Sequence, residues 1–507
     1  MDRANLRHLG VVASLGMAFA VLPAESASAS PSGTAPQAGP GANEEVRVIT
    51  GRFEPGAPDW GYVPVDIPAG VREIAVRYSY DRPATPPGVP GNALDIGMFD
   101  NDGDELGNAA GFRGWSGGAR DNFTISRSAA TPGYIPGPIT PGRWNVILGP
   151  YTVAPQGLEW RVEVTLRYGE PGPAFVPHYS PTRISGRGPG WYRGDLHVHS
   201  VYSDGKRTPA EVAAAARARQ LDFFVSTEHN TQSAHAVWGD YAGPDLLIVT
   251  GEEVTTRNGH LVAAGLTPGQ WIDWRYRAQD GQLPRFLREI HRSDGVAIAA
   301  HPYATCGACD WKFGYEGVDA VEIWNGPWTA DDEQAVTLWD GMLREHVQGK
   351  GIRRWRPAVG SSDAHREPQI VGLPQTVVEA NELSRRAILD GVAEGRSYIA
   401  ESAEVKLEMS AHNGLFHAGI GERLLALPQS LVGVTVTVAG APGTTVRLVT
   451  DRGEAYTFPV ASADPATFTW TTFARDAAYV RAEVRRPNAE AVALSNPIFL
   501  GLVHPAQ

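Results

Sequence analysis

The chain has 507 residues, with 44 Lys and Arg against 56 Asp and Glu and a formal net charge of −12. A hydrophobic fraction of 42% and a charged fraction of 20% are those of a globular protein able to bury several cores, and they exclude disorder as the dominant state. No apolar run approaches the roughly 20 residues of a spanning helix, and the acidic balance argues against general nucleic-acid binding.

Residues 1–29 read as a signal peptide. Arg3 and Arg7 precede the apolar stretch 10–22, and Ala27-Ser28-Ala29 fits the A-x-A cleavage pattern. Residues 30–44, rich in Ser, Ala, Pro and Gly, are expected to be disordered. The mature chain is therefore expected to be secreted or periplasmic, with no membrane span. Residues 45–170 carry short alternating runs (VRVITGRF, REIAVRYSY, WNVILGPY, WRVEVTLRY) between Gly/Pro/Asp turns, which predicts an N-terminal antiparallel β-sandwich. The acidic run from Asp100 to Asp104 lacks the glycine spacing of an EF-hand loop and reads as a hairpin turn. Residues 171–190 form a Pro/Gly linker by composition.

From 191 to 402 strands and helices alternate. DLHVHS leads into a helix whose start, Thr208-Pro209-Ala210-Glu211, carries an N-cap, a first-turn proline and a capping box. Strands DFFVST, DLLIVTGEE and HLVAAGL follow, then a helix near 284–292, VAIAAHP, VDAVEIWN, a helix near 331–346, PAVGSSD, QTVVEA and a helix near 383–393. This order predicts an α/β unit with a mainly parallel sheet, open or closed into a barrel. Period-two alternation returns over 403–507 and predicts a C-terminal β-sandwich. Cys306 and Cys309 are the only cysteines; in an exported chain the C-G-A-C spacing favours a local disulfide.

The central segment holds residues that a plain fold does not need. His197 and His199 alternate onto one face of a strand, Asp204 follows in a turn, and His229 ends the next strand. Glu253 and His260 flank another turn, His301 ends AAHP, and Asp363 and His365 end a later strand. Six imidazoles and three carboxylates without thiolates suit two or three ions of the Zn, Mn or Fe kind, and they gather where strands end, the edge at which barrels keep their chemistry. Arg193, Lys206, Arg257 and Arg366 flank these motifs and could clamp an anion; Tyr303, Trp324, Asn325 and Trp328 could line a pocket. Arg353 to Arg356 reads as a basic loop rather than a nucleic-acid patch.

The series H-x-H…D, E-H, G-x-E, A-H-P, D-x-H in this order resembles the polymerase-and-histidinol-phosphatase (PHP) family of metal-dependent hydrolases over about 193–399, and with β domains on both sides it looks like an exported member of the carbaryl hydrolase (CehA/McbA) type. The resemblance implies a distorted seven-stranded barrel with up to three ions. It places His197, His199, Glu253 and Asp363 on one, Glu253, His260 and His301 on a second, and Asp204, His229 and His365 on the third. It selects Glu253 rather than Glu252, and it has Glu228 where the family often has Asp. The implied catalytic group is Glu253, Asp363, His365 and Arg366. Three divalent ions against three carboxylates and a bridging hydroxide leave a local charge near +2, attractive to an anion, and the ions lower the pKa of bound water toward roughly 7. The expected reaction is phosphoester hydrolysis of a small-molecule or sugar- or lipid-linked ester. Carbamate or carboxylester hydrolysis is the alternative, and a carbohydrate-binding protein with an inactive barrel is a third reading.

Overall fold

The computed structural model describes residues 43–351 and 354–502; the expected signal peptide, nearly all of the segment 30–44, and Arg353 of the basic loop lie outside the described residues. The first unit consists of two four-stranded antiparallel sheets, ordered Glu44–Phe53, Leu158–Tyr168, Val71–Tyr80, Asn122–Ser126 and Gly61–Ile67, Gly142–Thr152, Ala93–Phe99, Phe112–Gly117. Alternation writes their facing surfaces: in GYVPVDI, Val63, Val65 and Ile67 turn inward while Pro64 and Asp66 face out. They meet Ile74, Val76, Trp144, Val162 and Val164 in one core. The acidic stretch 100–104 lies in the connection between two antiparallel strands, where Asp100 meets Arg113 and Asp104 accepts from Asn145.

The segment 171–189 contains no strand or helix, yet it is pinned rather than loose. His178 N donates to Ala236 O, Ile184 N donates to Leu383 O, and Arg183 pairs with Glu382.

The central unit runs β1 (Gly190–Val198), α1 (Pro209–Ala218), β2 (Phe223–Ser226), β3 (Leu247–Thr256), β4 (Gly259–Ala264), α2 (Leu283–His291), β5 (Val296–Ala299), β6 (Ala320–Asn325), α3 (Ala330–Val347), β7 (Ala358–Ser361), β8 (Gln375–Ala380), α4 (Arg385–Glu394) and β9 (Ser397–Ala400). Helix α1 opens as its sequence predicts: Thr208 and Glu211 form the reciprocal capping box and Pro209 fills the first turn. Ser384 caps α4, and Gly395, at φ +71°, ends it in the left-handed conformation that glycine adopts without strain.

The sheet is ordered β7-β6-β5-β4-β3-β2-β1-β8-β9, parallel except where β4, β8 and β9 run antiparallel to their neighbours. It curls until β7 returns against β1, but a full ladder does not close it. β8 occupies the edge of β1 over Gly190 to Gly194, so β7 reaches only the far end of β1, through a bridge between Val198 and Ala364 and a bond from Asp363 N to His197 O. Of the expected distorted seven-stranded barrel the structure shows a curled half-barrel sheet.

On one flank the first unit packs against the outside of the curl. Phe112 stacks on Trp271 at 4.1 Å, Arg275 donates to Tyr62 Oη at 2.6 Å, and Arg277 pairs through two nitrogens with Asp59. On the other, β9 pairs with Ala491–Ser495, so the curled sheet continues into strands Tyr479–Arg485, Thr444–Thr450 and Gly453–Val460. A four-stranded antiparallel sheet ordered His417–Gly419, Lys406–His412, Leu431–Ala439 and Ala466–Phe473 covers these across an aliphatic core. Among the described residues no helix is long and apolar enough to cross a membrane.

Candidate metal centre

All nine ligand-capable residues converge at the end of the curl where β1, β2, β5 and β7 finish. They fall into three overlapping groups: His197, His199, Glu253 and Asp363; Glu253, His260 and His301; and His199, Asp204, His229 and His365. Within each group the ligand atoms lie within 4.8 Å of one another. Alternation along β1 brings His197 and His199 to the same face, so both Nε2 atoms approach Glu253 Oε2, at 3.2 and 3.3 Å, and Asp363 Oδ1, at 3.4 and 3.0 Å. Glu253 also reaches the second group, with His260 Nδ1 at 2.7 Å and His301 Nε2 at 3.3 Å from its Oε1. In the third, His229 Nε2 and His365 Nε2 are 3.3 Å apart, with Asp204 Oδ1 at 3.5 and 3.3 Å.

Proximity alone would also describe an ion-pair network. What separates this cluster is that its central atoms lack hydrogen-bond geometry. His197 Nε2, His199 Nε2, Glu253 Oε2 and Asp363 Oδ1 are buried, and none has a hydrogen-bond partner among the described residues. Burying such atoms unsatisfied costs about 1–3 kcal/mol each, more when charged. Four of them around one locus fit a divalent cation, and the all-nitrogen-and-oxygen donor set fits borderline ions.

The charges of the cluster are mutually balanced. Burial disfavours the imidazolium of His197, but the carboxylates of Asp363 and Glu253 outweigh it and hold the ring well above its ordinary range. Burial likewise opposes ionisation of Glu253, yet His229, His197 and His260 keep its carboxyl well below the usual value. His229 is pushed up to about 10, burial being overcome by Glu253 and Asp204. Imidazoles that ligate must be neutral, so an ion in their midst replaces those protons.

The surroundings fix the ligands. His197 Nδ1 lies 3.3 Å from Glu322 Oε1, which leaves Nε2 facing the cluster. Glu322 also accepts from His301 N at 2.9 Å and from Asn325 Nδ2 at 3.0 Å. Asn230, His301 and Asp363 have φ of +57°, +25° and +47°, a region that costs side-chain-bearing residues about 1–3 kcal/mol. Each is held by its backbone N–H, donated to Glu253 O, Glu322 Oε2 and His197 O. Glu228 turns away from the ligands and accepts from Ser200 and Ser203, clamping the turn after H-x-H. Glu252 points to the opposite face from Glu253 and accepts from Ile272 N at 2.9 Å.

The residues expected to bind substrate divide. Arg257 lines a cleft of about 440 Å³ that leads to Asp204, His229 and His260. Lys206 and Arg366 carry exposed side chains on the rim; Lys206 N donates to His365 O. Tyr303, 37% exposed, lies outside the cleft wall. Asn325 stands behind the ligands, with Nδ2 3.4 Å from Asp363 Oδ2, and so positions them rather than lining a pocket.

Two expectations are corrected outright. Arg193 spends its guanidinium on Gln375, Ser402 O and Val405 O, because it sits four residues before His197 on β1, at the opposite end of the strand from the ligands. Trp324 is buried in a core with Trp339 and donates to Gly326 O; a bulge between Glu322 and Trp324 turns it off the face that Glu322 occupies. Trp328 packs edge-on against it and beneath Arg485. Cys306 and Cys309 are joined by a disulfide.

Sequence reasoning missed Glu322, although a carboxylate inside the apolar run VEIW is a visible signal. It also missed Trp60, Asp95, Trp115 and Tyr151 of the first unit, which form the far wall of the cleft and carry no local motif.

No protein-family model matches the chain, and no curated protein does. Among solved structures, the chain is similar to a two-domain protein containing a predicted PHP-like metal-dependent phosphoesterase from Bacteroides vulgatus, at 16% identity and a TM-score of 0.35, covering 64% of this chain and 100% of that one. It is also similar to an amidohydrolase from Chromobacterium violaceum, at 18% identity and a TM-score of 0.25, covering 35% of this chain and 89% of that one.

Proposed function

We propose that the protein is a metal-dependent hydrolase acting on phosphoesters, with an exported, PHP-type chain as its setting. The observation that carries this reading is the set of four buried, unpartnered ligand atoms of His197, His199, Glu253 and Asp363, flanked by two further ligand groups that share Glu253 and His199. Divalent ions held there would supply an activated water at neutral pH and stabilise negative charge developing on a phosphoryl oxygen.

The chain's own residues divide the remaining work. The side chains of His197, His199 and Glu253 are at most 1% exposed and form the anchored floor, in which Glu322 orients His197. Those of Asp204 and His229, 46% and 21% exposed, line the cleft, with His365 Nε2 3.3 Å from Asp204, so substrate arrives over the third ligand group. Arg257 lies beside them and adds positive charge where an anion would settle.

The test is a parallel assay of a phosphomonoester, a phosphodiester and an aryl carbamate on metal-loaded protein, before and after chelation. Phosphoester turnover that chelation abolishes and Zn²⁺ or Mn²⁺ restores is the expected result. Turnover of the carbamate alone would replace phosphorus by a carbonyl as the electrophile.

A further inference from the structure

The cleft above the ligand cluster is built by two units of the chain. On one side stand Asp204, His229 and His260; on the other stand Trp60, Asp95 and Tyr151, all from the N-terminal unit. Arg257, in the turn between β3 and β4, lies between them.

Its guanidinium carbon is 4.3 Å from the centre of the Tyr151 ring and 5.1 Å from that of Trp60. The side chain is only 9% exposed, and Nη2 has no hydrogen-bond partner among the described residues; Asp95 Oδ2, at 4.0 Å, is beyond hydrogen-bonding distance. A buried cation with a free donor is costly, and the cost is removed when an anion accepts from it. Aromatic rings against a guanidinium hold its plane, which leaves its N–H edge as the part able to grip a phosphoryl oxygen. Tyr151 is itself fixed across the junction, its hydroxyl donating to Gly307 O inside the Cys306–Cys309 loop.

We infer that the N-terminal sandwich forms the specificity wall of the site, and that the wall selects phosphate monoesters of apolar, aryl-type alcohols: the phosphoryl group lies between the third ligand group and Arg257, and the alcohol portion lies against Tyr151 and Trp60. The inference rests on the phosphoester reading above. A merely adhesive role for the same residues would change stability without changing which ligand binds.

The experiment is calorimetric titration of the metal-loaded full chain with phenylphosphonate, whose P–C bond is not hydrolysed, and, separately, inorganic phosphate, with hydrolysis of phenyl phosphate and glycerol phosphate followed in parallel. Wild type is expected to bind phenylphosphonate about 10-fold or more tighter than inorganic phosphate, a difference of roughly 1.4 kcal/mol. Tyr151→Ala brings that ratio toward one and weakens inorganic phosphate binding far less, because Trp60 still backs the Arg257 guanidinium, whereas Tyr151→Phe, which keeps the ring, keeps the ratio. Arg257→Met weakens both ligands about 10-fold or more, as expected for a lost charged hydrogen bond, and Arg257→Lys recovers part of the loss. Metal content is unchanged in every variant. Protein that binds and hydrolyses both classes while Tyr151→Ala and Arg257→Met match wild type overturns the wall and leaves the phosphoester reading standing. Wild type that holds its ions yet neither binds nor hydrolyses any of these phosphates overturns the phosphoester reading and the wall with it.

Discussion

Two clusters of buried charge, one where α3 meets the C-terminal strands and one at the mouth of the curl, are finished differently. Where α3 meets the C-terminal strands, Arg481 donates to Asp340 and Glu483, Arg485 donates to Glu483 and Glu333, and Tyr479 donates to Asp340. The side chains of Arg481, Glu483 and Arg485 are at most 4% exposed, and no nitrogen or oxygen of theirs is left without a partner among the described residues. At the mouth of the curl the density of charge is similar, but the central atoms of His197, His199, Glu253 and Asp363 are left without hydrogen-bond partners among the described residues. Burial and charge are thus common to both clusters, and hydrogen-bond completeness distinguishes them. A closed network holds a junction together; an open one is arranged around something else.

The comparison is broken most strongly by removing the residue that two ligand groups share. Glu253→Gln should lower metal-dependent turnover by at least about 100-fold, the upper end of what losing even an outer supporting contact costs, and should reduce bound metal while the circular dichroism stays that of wild type. The matching change in the closed network acts on stability instead. Arg481→Met leaves Glu483 and Asp340 buried with less compensation and should destabilise the fold by about 3–5 kcal/mol in denaturant titration, with metal per folded chain unchanged.

Outer support gives a smaller effect. Glu322→Gln removes the charge facing His197 Nδ1 and should cost about 10–100-fold in metal affinity, read by competition with a chromophoric chelator. The smallest effect is in acid. Burial opposes ionisation of Glu483, but Arg481 and Arg485 hold its carboxyl down to about 2 from an ordinary 4.5. Its folded value lies below its unfolded one, so its contribution is complete above about pH 4.5 and is lost as pH falls toward 2. Glu483→Gln should therefore flatten the acid limb of stability between those values, leaving the slope above pH 5 as in wild type.

Much of the site was legible because its ligands sit at strand ends, where short motifs survive as H-x-H, A-H-P and D-x-H and where alternation decides which face a side chain takes. The same rule should have excluded Arg193: four residues along a strand is roughly 13 Å, the distance from the mouth to the far end. Trp324 failed for another reason, since only the bulge beside Glu322 turns it into the core, and no composition signals a bulge. The layered β organisation of the two ends was visible as alternation; the seam between β9 and Ala491–Ser495 was not, because pairing across some ninety residues leaves no local trace. Trp60 and Tyr151 belong to the same class of contact, formed by docking rather than by sequence neighbours.

The most direct measurement is the number of divalent ions per chain, by mass spectrometry, in wild type and in Glu253→Gln after reconstitution with Zn²⁺ or Mn²⁺. The geometry predicts two or three ions in wild type and fewer in the variant, both being folded. Folded wild-type protein that takes up no ion from either metal would contradict the reading of the unpartnered cluster as a metal centre.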